Sequence, residues 1–160
     1  MRVLMISDHA DPLAQIGSKE AGGQNVYVDS LARHLASAGV YVDVATRWDD
    51  ATKDEVVQVS PRLRVIRVKA GPVAYMPRDE FVNVTNEFVH NLAARITNED
   101  VGYDYMHTNY WFSGVIGLEL QERFEIPMYH VYHSIGPVRL KTLRQTDPKL
   151  IDEALFVKRF

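Results

Sequence analysis

Three of the chain's six histidines, His9, His107 and His133, fall at the ends of separate short apolar runs, and that placement gives them chemical interest. Imidazole titrates near neutral pH and can donate or accept a hydrogen bond, so histidines gathered at one edge of a sheet form a candidate site. Taken singly, a histidine is more often structural. His34 and His90 lie in helical patterns and His130 lies inside a strand pattern, so these three read as structural. A metal centre would need more than the first three supply. The sequence has no cysteine, no His-x-x-x-His pair and no dense carboxylate cluster beside them.

Gly22-Gly23-Gln24-Asn25 opens a helical pattern after a long loop. Glycines let backbone approach a ligand closely, and the free N–H groups of a helix start favour an anion or a polar oxygen. A tight helix entry is the plainer alternative. The glycines do not make a dinucleotide fingerprint, which needs G-x-G-x-x-G directly after the strand, and no Gly-Lys-Ser or Gly-Lys-Thr marks a phosphate-binding P-loop. Arg78, in a proline-flanked loop, offers a planar fork that suits phosphate, or else is a solvated surface arginine. Tyr110-Trp111-Phe112 reads mostly as core, although a tyrosine just past a strand end can present its hydroxyl to a ligand. Asp8 and Asp11 stand too close in sequence to serve as an acid/base pair.

The elements that must position these residues follow from periodicity. Val3 to Ile6 is a consecutively apolar strand, as a strand covered on both faces requires. Asn25 to Ala38 places Val28, Leu31, Ala32, Leu35 and Ala36 at helical spacing, with Gly39 as its C-terminal glycine. Strands are expected at Val40 to Ala45, Val56-Val57, Leu63 to Val68, Tyr103 to His107 and Pro127 to His133. Helices are expected over Asp79 to Ile96, with Asp79 as cap, and over Phe112 to Phe124. Asp147-Pro148 opens a last helix. The alternation predicts an α/β fold, a doubly wound, mostly parallel Rossmann-like sheet with helices on both faces. In such a sheet ligands bind beyond the carboxyl ends of the strands.

Composition bounds the rest. With 46% apolar and 24% charged residues among 160, the chain reads as one soluble globular domain, not a disordered or fibrous one. A net charge of −3 gives no sign of a nucleic-acid surface. Val3 to Ile6 is too short for a signal segment or a membrane span, and the lack of cysteine suits a reducing, cytoplasmic setting.

The runs Ile6-Ser7-Asp8-His9-Ala10-Asp11-Pro12-Leu13, Gly22-Gly23-Gln24-Asn25-Val26-Tyr27-Val28, Val42-Asp43-Val44-Ala45-Thr46-Arg47, His107-Thr108-Asn109-Tyr110-Trp111-Phe112-Ser113-Gly114 and His130-Val131-Tyr132-His133-Ser134 stand in order. Together they resemble the N-terminal domain of retaining GT-B glycosyltransferases, family 4, of the sucrose-phosphate synthase and inositol-phosphate N-acetylglucosaminyltransferase type. The resemblance reaches from the first strand to about Val138. It implies transfer of a sugar from a nucleotide-sugar donor to a hydroxyl of a sugar, sugar phosphate or inositol phosphate, with retention and with no required cofactor or metal.

It further implies that residues 1–160 form the acceptor-side domain, with 148–160 starting the crossover to a C-terminal donor-binding domain outside this sequence. Carried over by position, Gly22 and Gly23 would meet the donor diphosphate or the transferring sugar. His133 would act near the reaction centre, and His9 would line the acceptor pocket. Asn25, Tyr110 and Ser134 would contact acceptor. Arg78 stands where phosphate-acceptor subfamilies carry lysine, and Ser134 where threonine is common. A standalone sugar-phosphate or anion-binding module without catalysis is the alternative. A nicotinamide-dependent oxidoreductase on the same sheet is disfavoured by the missing glycine fingerprint.

Overall fold

A computed structural model describes residues 1–15, 22–134 and 136–146. Strand β1 (Arg2–Ile6) leads through a loop to helix α1 (Gly23–Ser37) and strand β2 (Tyr41–Arg47). A hairpin of β3 (Val56–Ser60) and β4 (Leu63–Val68) follows. A 3-10 turn (Arg78–Asn83) then precedes α2 (Thr85–Asn98), β5 (Tyr105–Asn109), α3 (Tyr110–Phe124), β6 (Met128–Val131) and α4 (Gly136–Thr146). The six strands form one sheet in the order β3-β4-β2-β1-β5-β6. Every pairing is parallel except that of β3 with β4.

Both faces of the sheet are covered, as the unbroken apolar run of β1 demands. On one face Val3, Met5, Val42 and Val44 pack under Val28, Ala32 and Ala36 of α1. On the other, Leu4, Ile6, Ala45 and Ile66 meet Phe88 and Leu92 of α2 and Ile116 and Leu120 of α3. Gly39 takes a φ of +93° just past α1, with its N–H donating to the Ala36 carbonyl at 3.1 Å. That is the left-handed stop expected of a helix-ending glycine.

From β1 the chain moves outward one way through β2 to β4, then crosses back to place β5 on the other side. The direction of winding therefore reverses between β1 and β5, and a crevice opens at their carboxyl ends.

Three expectations need correction. The helix expected over 79–96 is two elements, because Phe81 turns inward to join Tyr110 and Phe112 and leaves the α2 stripe to begin with Phe88. Pro77, not Asp79, stands at the cap position of the 3-10 turn, with Asp79 in its first turn. The strand expected at 103–107 lies two residues later, so His107 sits within β5 and Asn109 closes it. Helix α4 over 136–146 was not foreseen. The helix opened by Asp147-Pro148 falls outside the described residues.

Candidate functional site

The crevice holds a cavity of about 370 Å³ lined by His9, Ala10, Gly22, Gly23, Gln24, Asn25, Arg78, Tyr110, His133 and Ser134. All eight residues to which the resemblance gives a role thus share one wall system. Two larger hollows, of about 530 and 540 Å³, lie by Tyr41 and Arg62 and by Trp48 and Asn91, away from these strand ends.

His9 follows β1 and is boxed by aromatic rings, with centroids 4.8 Å from Tyr110, 5.9 Å from Phe81 and 6.0 Å from Phe112. Beneath it Asp8 is buried. One of its carboxylate oxygens accepts from Ser113 Oγ at 2.5 Å and lies 3.4 Å from His9 Nδ1. Asp11 is not available for proton transfer. It is buried in an ion pair with Arg67, whose Nε and Nη2 both reach Oδ2 at 3.1 Å, and its other oxygen accepts the Leu13 N–H.

Gly22 caps α1 and Gly23 begins it. Among the described residues, a Cβ added at either would meet nothing within 4 Å, and neither has a left-handed φ, so the described fold does not require glycine here. The Gly22 N–H is already engaged by Asn25 Oδ1 at 2.9 Å, so the helix-start amides left for a ligand begin at Gly23. Asn25 is buried, and its Nδ2 donates to the Asp11 carbonyl at 2.8 Å. Both ends of its amide are thus occupied within the chain. Its part is to hold the Gly22 turn, which differs from the contact with acceptor that the resemblance implies.

Arg78 reaches the cavity from the start of the 3-10 turn, and Arg47 holds in place the loop that joins β4 to that turn. The Arg47 side chain is buried and donates to the carbonyls of Ala70, Pro72 and Ala74. Desolvation by its surroundings pulls its guanidinium below the usual range, with Asp49 and Glu87 acting the other way. The Arg78 guanidinium stands 5.8 Å from the Tyr110 ring centre. Among the described residues, its Nε, the Tyr110 hydroxyl and, beneath the cavity, Asp8 Oδ2 are buried without a hydrogen-bond partner. Unsatisfied buried polar atoms cost about 1–3 kcal/mol each, and the two that belong to cavity-lining residues fit groups arranged for a ligand.

Backbone strain gathers at the same place. Among the described residues, Asp100, Tyr110, Glu125 and His133 are the non-glycines with positive φ. Asp100 and Glu125 end helices, where a left-handed residue is ordinary. Tyr110 (+72°) and His133 (+53°) end no helix and both face the cavity. Tyr110 turns β5 directly into α3, which drives its ring inward.

His133 lies just past β6, with its Nε2 3.0 Å from Asn109 Oδ1. Desolvation, then the nearby His9 and His130, lowers its pKa. His107 does not line the cavity. Its ring faces Tyr27 at 6.2 Å and its Nδ1 lies 3.2 Å from Asn109 Nδ2. His130 meets the Thr108 hydroxyl at 2.8 Å, a structural contact as expected. The sequence reading passed over Gln24 as a site residue, although it stands in the Gly22–Asn25 run. Its Nε2 donates to Ser7 Oγ and to the Asn109 carbonyl. Among the described residues, no group of three or more His, Cys, Asp or Glu is placed to hold a metal ion, and no helix is long and apolar enough to cross a membrane.

The chain is 40% identical over 149 residues to a D-inositol 3-phosphate glycosyltransferase of Corynebacterium jeikeium, a match covering 93% of this chain and 36% of that protein. It is 41% identical over 139 residues to the protein of the same description from Corynebacterium aurimucosum, covering 87% of this chain and 33% of the relative. The chain therefore spans about a third of the length of these relatives. Among solved structures, sucrose-phosphate synthase from Thermosynechococcus elongatus superposes with a TM-score of 0.89 at 38% identity, over 98% of this chain and 38% of that one. The six-stranded, mostly parallel sheet matches a GT-B glycosyltransferase domain throughout. With residues 21–158 also matching the model described as Glycosyltransferase Family 4, the chain belongs to that family.

Proposed function

We propose that this chain is the acceptor-side domain of a cytoplasmic, retaining glycosyltransferase that moves a sugar from a nucleotide-sugar donor to a hydroxyl of a sugar phosphate or inositol phosphate. One observation carries the reading. The cavity at the β1/β5 crevice combines open helix-start amides with two buried donors, Arg78 Nε and the Tyr110 hydroxyl, that have no partner among the described residues. Such a wall suits an anionic group held beside hydroxyls. The names of the relatives, which specify inositol 3-phosphate and sucrose phosphate, agree with that chemistry.

In this reading Arg78, Tyr110 and Ser134 hold the acceptor phosphate and His9 packs against the acceptor body. His133 stands at the transferring sugar, and the amides from Gly23 onward approach the donor. The leaving diphosphate helps remove the acceptor proton as the sugar is attacked on the face it leaves. The protein's part is positioning and stabilisation of charge. The donor nucleotide is held by a second domain outside this sequence, so residues 1–160 bind acceptor without turnover.

The test is calorimetric titration of the purified chain with inositol 3-phosphate and with inositol. The phosphate ester should bind, and Arg78→Ala should weaken it by about 10-fold to 100-fold, the value of a charge-assisted contact, while leaving the alcohol unchanged. Equal loss for both ligands would remove the phosphate assignment. Sugar transfer by the purified chain alone would remove the half-site reading. Phosphate binding by a natural protein that never transfers sugar would favour the standalone module.

A further inference from the structure

Asn109 closes β5, is fully buried, and sits between two histidines. Its Nδ2 lies 3.1 Å from the Ile6 carbonyl oxygen, at the end of β1, and 3.2 Å from His107 Nδ1. A carbonyl oxygen can only accept, so the amide nitrogen must face it. The reverse orientation would oppose two oxygens at that distance. With Nδ2 assigned by the backbone, Oδ1 is left facing His133 Nε2 at 3.0 Å. An amide oxygen has no proton to give, so Nε2 must carry one. A neutral imidazole with Nε2–H has a bare Nδ1.

We infer that Asn109 is a positioning residue that holds the His133 ring as the neutral Nε2–H tautomer, leaving Nδ1 to accept from a ligand hydroxyl. A bare nitrogen repels an oxyanion, so the His133 side of the cavity reads a hydroxyl while the Arg78 side reads an anion. The assignment of the hydroxyl to a sugar rests on the transfer reading above. The tautomer does not.

Three features support this arrangement. The left-handed backbone of His133 sets the ring over Asn109 against its own conformational preference. Tyr27 meets the same ring edge-on at 4.9 Å and limits its rotation. Desolvation, then repulsion from the neighbouring imidazoles of His9, His130 and His107, opposes a proton on Nδ1.

The experiment is long-range proton–nitrogen correlation NMR of the chain without ligand, at pH 7.5 and through a pH titration. A free histidine samples both tautomers and exchanges its ring proton quickly with water. His133 should instead show the Nε2–H form alone, with slowed exchange. The near-isosteric Asn109→Asp places a carboxylate on the Nε2 side and should move the His133 titration upward by about one pH unit. A mixed tautomer or a fast-exchanging ring proton in the unmodified chain would overturn the inference. So would a folded Asn109→Asp chain whose His133 titrates unchanged. If that variant fails to fold, the unmodified chain still decides. Failure to detect sugar transfer would leave this result standing, whereas a mixed tautomer would leave the transfer reading intact.

Discussion

Among the described residues, a methyl group added at Gly23 would touch no atom within 4 Å, at a position whose φ any residue can adopt. Helix propensity favours alanine over glycine by about 1 kcal/mol in a helix interior and by less at its first residue. Gly23→Ala should therefore leave the thermal midpoint unchanged or slightly raised, while weakening binding of a nucleotide sugar. A glycine kept only for the helix entry would behave in the opposite sense, losing stability and sparing binding. Parallel melting and titration curves separate the two. The glycine pair was visible in the sequence, but not which amide it frees. That depends on Asn25 Oδ1 folding back onto the Gly22 N–H.

The helix that carries Tyr110 into the crevice is held by close packing. A Cβ on Gly117 of α3 would stand 2.5 Å from Met128 Sδ and 2.6 Å from Thr108 Cγ2. The thioether can swing aside, whereas the buried β-branched threonine on β5, held between β1 and β6, cannot. Gly117→Ala should destabilise the chain by about 1–3 kcal/mol, the usual cost of overpacking, read as a lowered urea midpoint at unchanged slope. An unchanged midpoint would mean that α3 can lift off β5 and β6 freely. Element boundaries near the site were the least legible part of the sequence. Tyr103 to His107 has the composition of a strand, yet Asn109 ends β5 because its side chain bonds to Ile6 on the neighbouring strand, a partner 103 residues away.

At the scale of the whole molecule, the cluster of imidazoles at the carboxyl edge makes stability depend on pH. His107, His130 and His133 all titrate below the ordinary histidine value, in each case chiefly through desolvation. The unfolded chain therefore binds more protons than the folded one just below about pH 6.5. Their contribution is complete above that pH and is lost as pH falls toward the lowered folded values. Urea denaturation at pH 7.5 and pH 5.5 should give a lower midpoint at the acid value. His133→Gln should reduce the difference. A midpoint that stays level, or rises, between the two would contradict the assigned direction.

The sequence by itself determined the fold class and the parallel sheet covered on both faces, and it pointed to the strand-end edge and to eight of the residues that line its cavity. Apolar runs, helical spacing and strand-end placement are local properties, and the family motifs are strings of neighbouring residues. Only the tertiary structure decided what each group is free to do. Asp11 is taken by Arg67, Asn25 is occupied at both ends, and His107 lies behind Asn109 instead of in the cavity. Among the described residues Arg78 and Tyr110 retain unpartnered donors, and His133 is oriented by an amide whose own direction is set by β1. Each outcome turns on a hydrogen-bond partner supplied from a distant part of the chain, or on its absence. Such partners depend on strand order and register, which residue spacing along one segment does not encode.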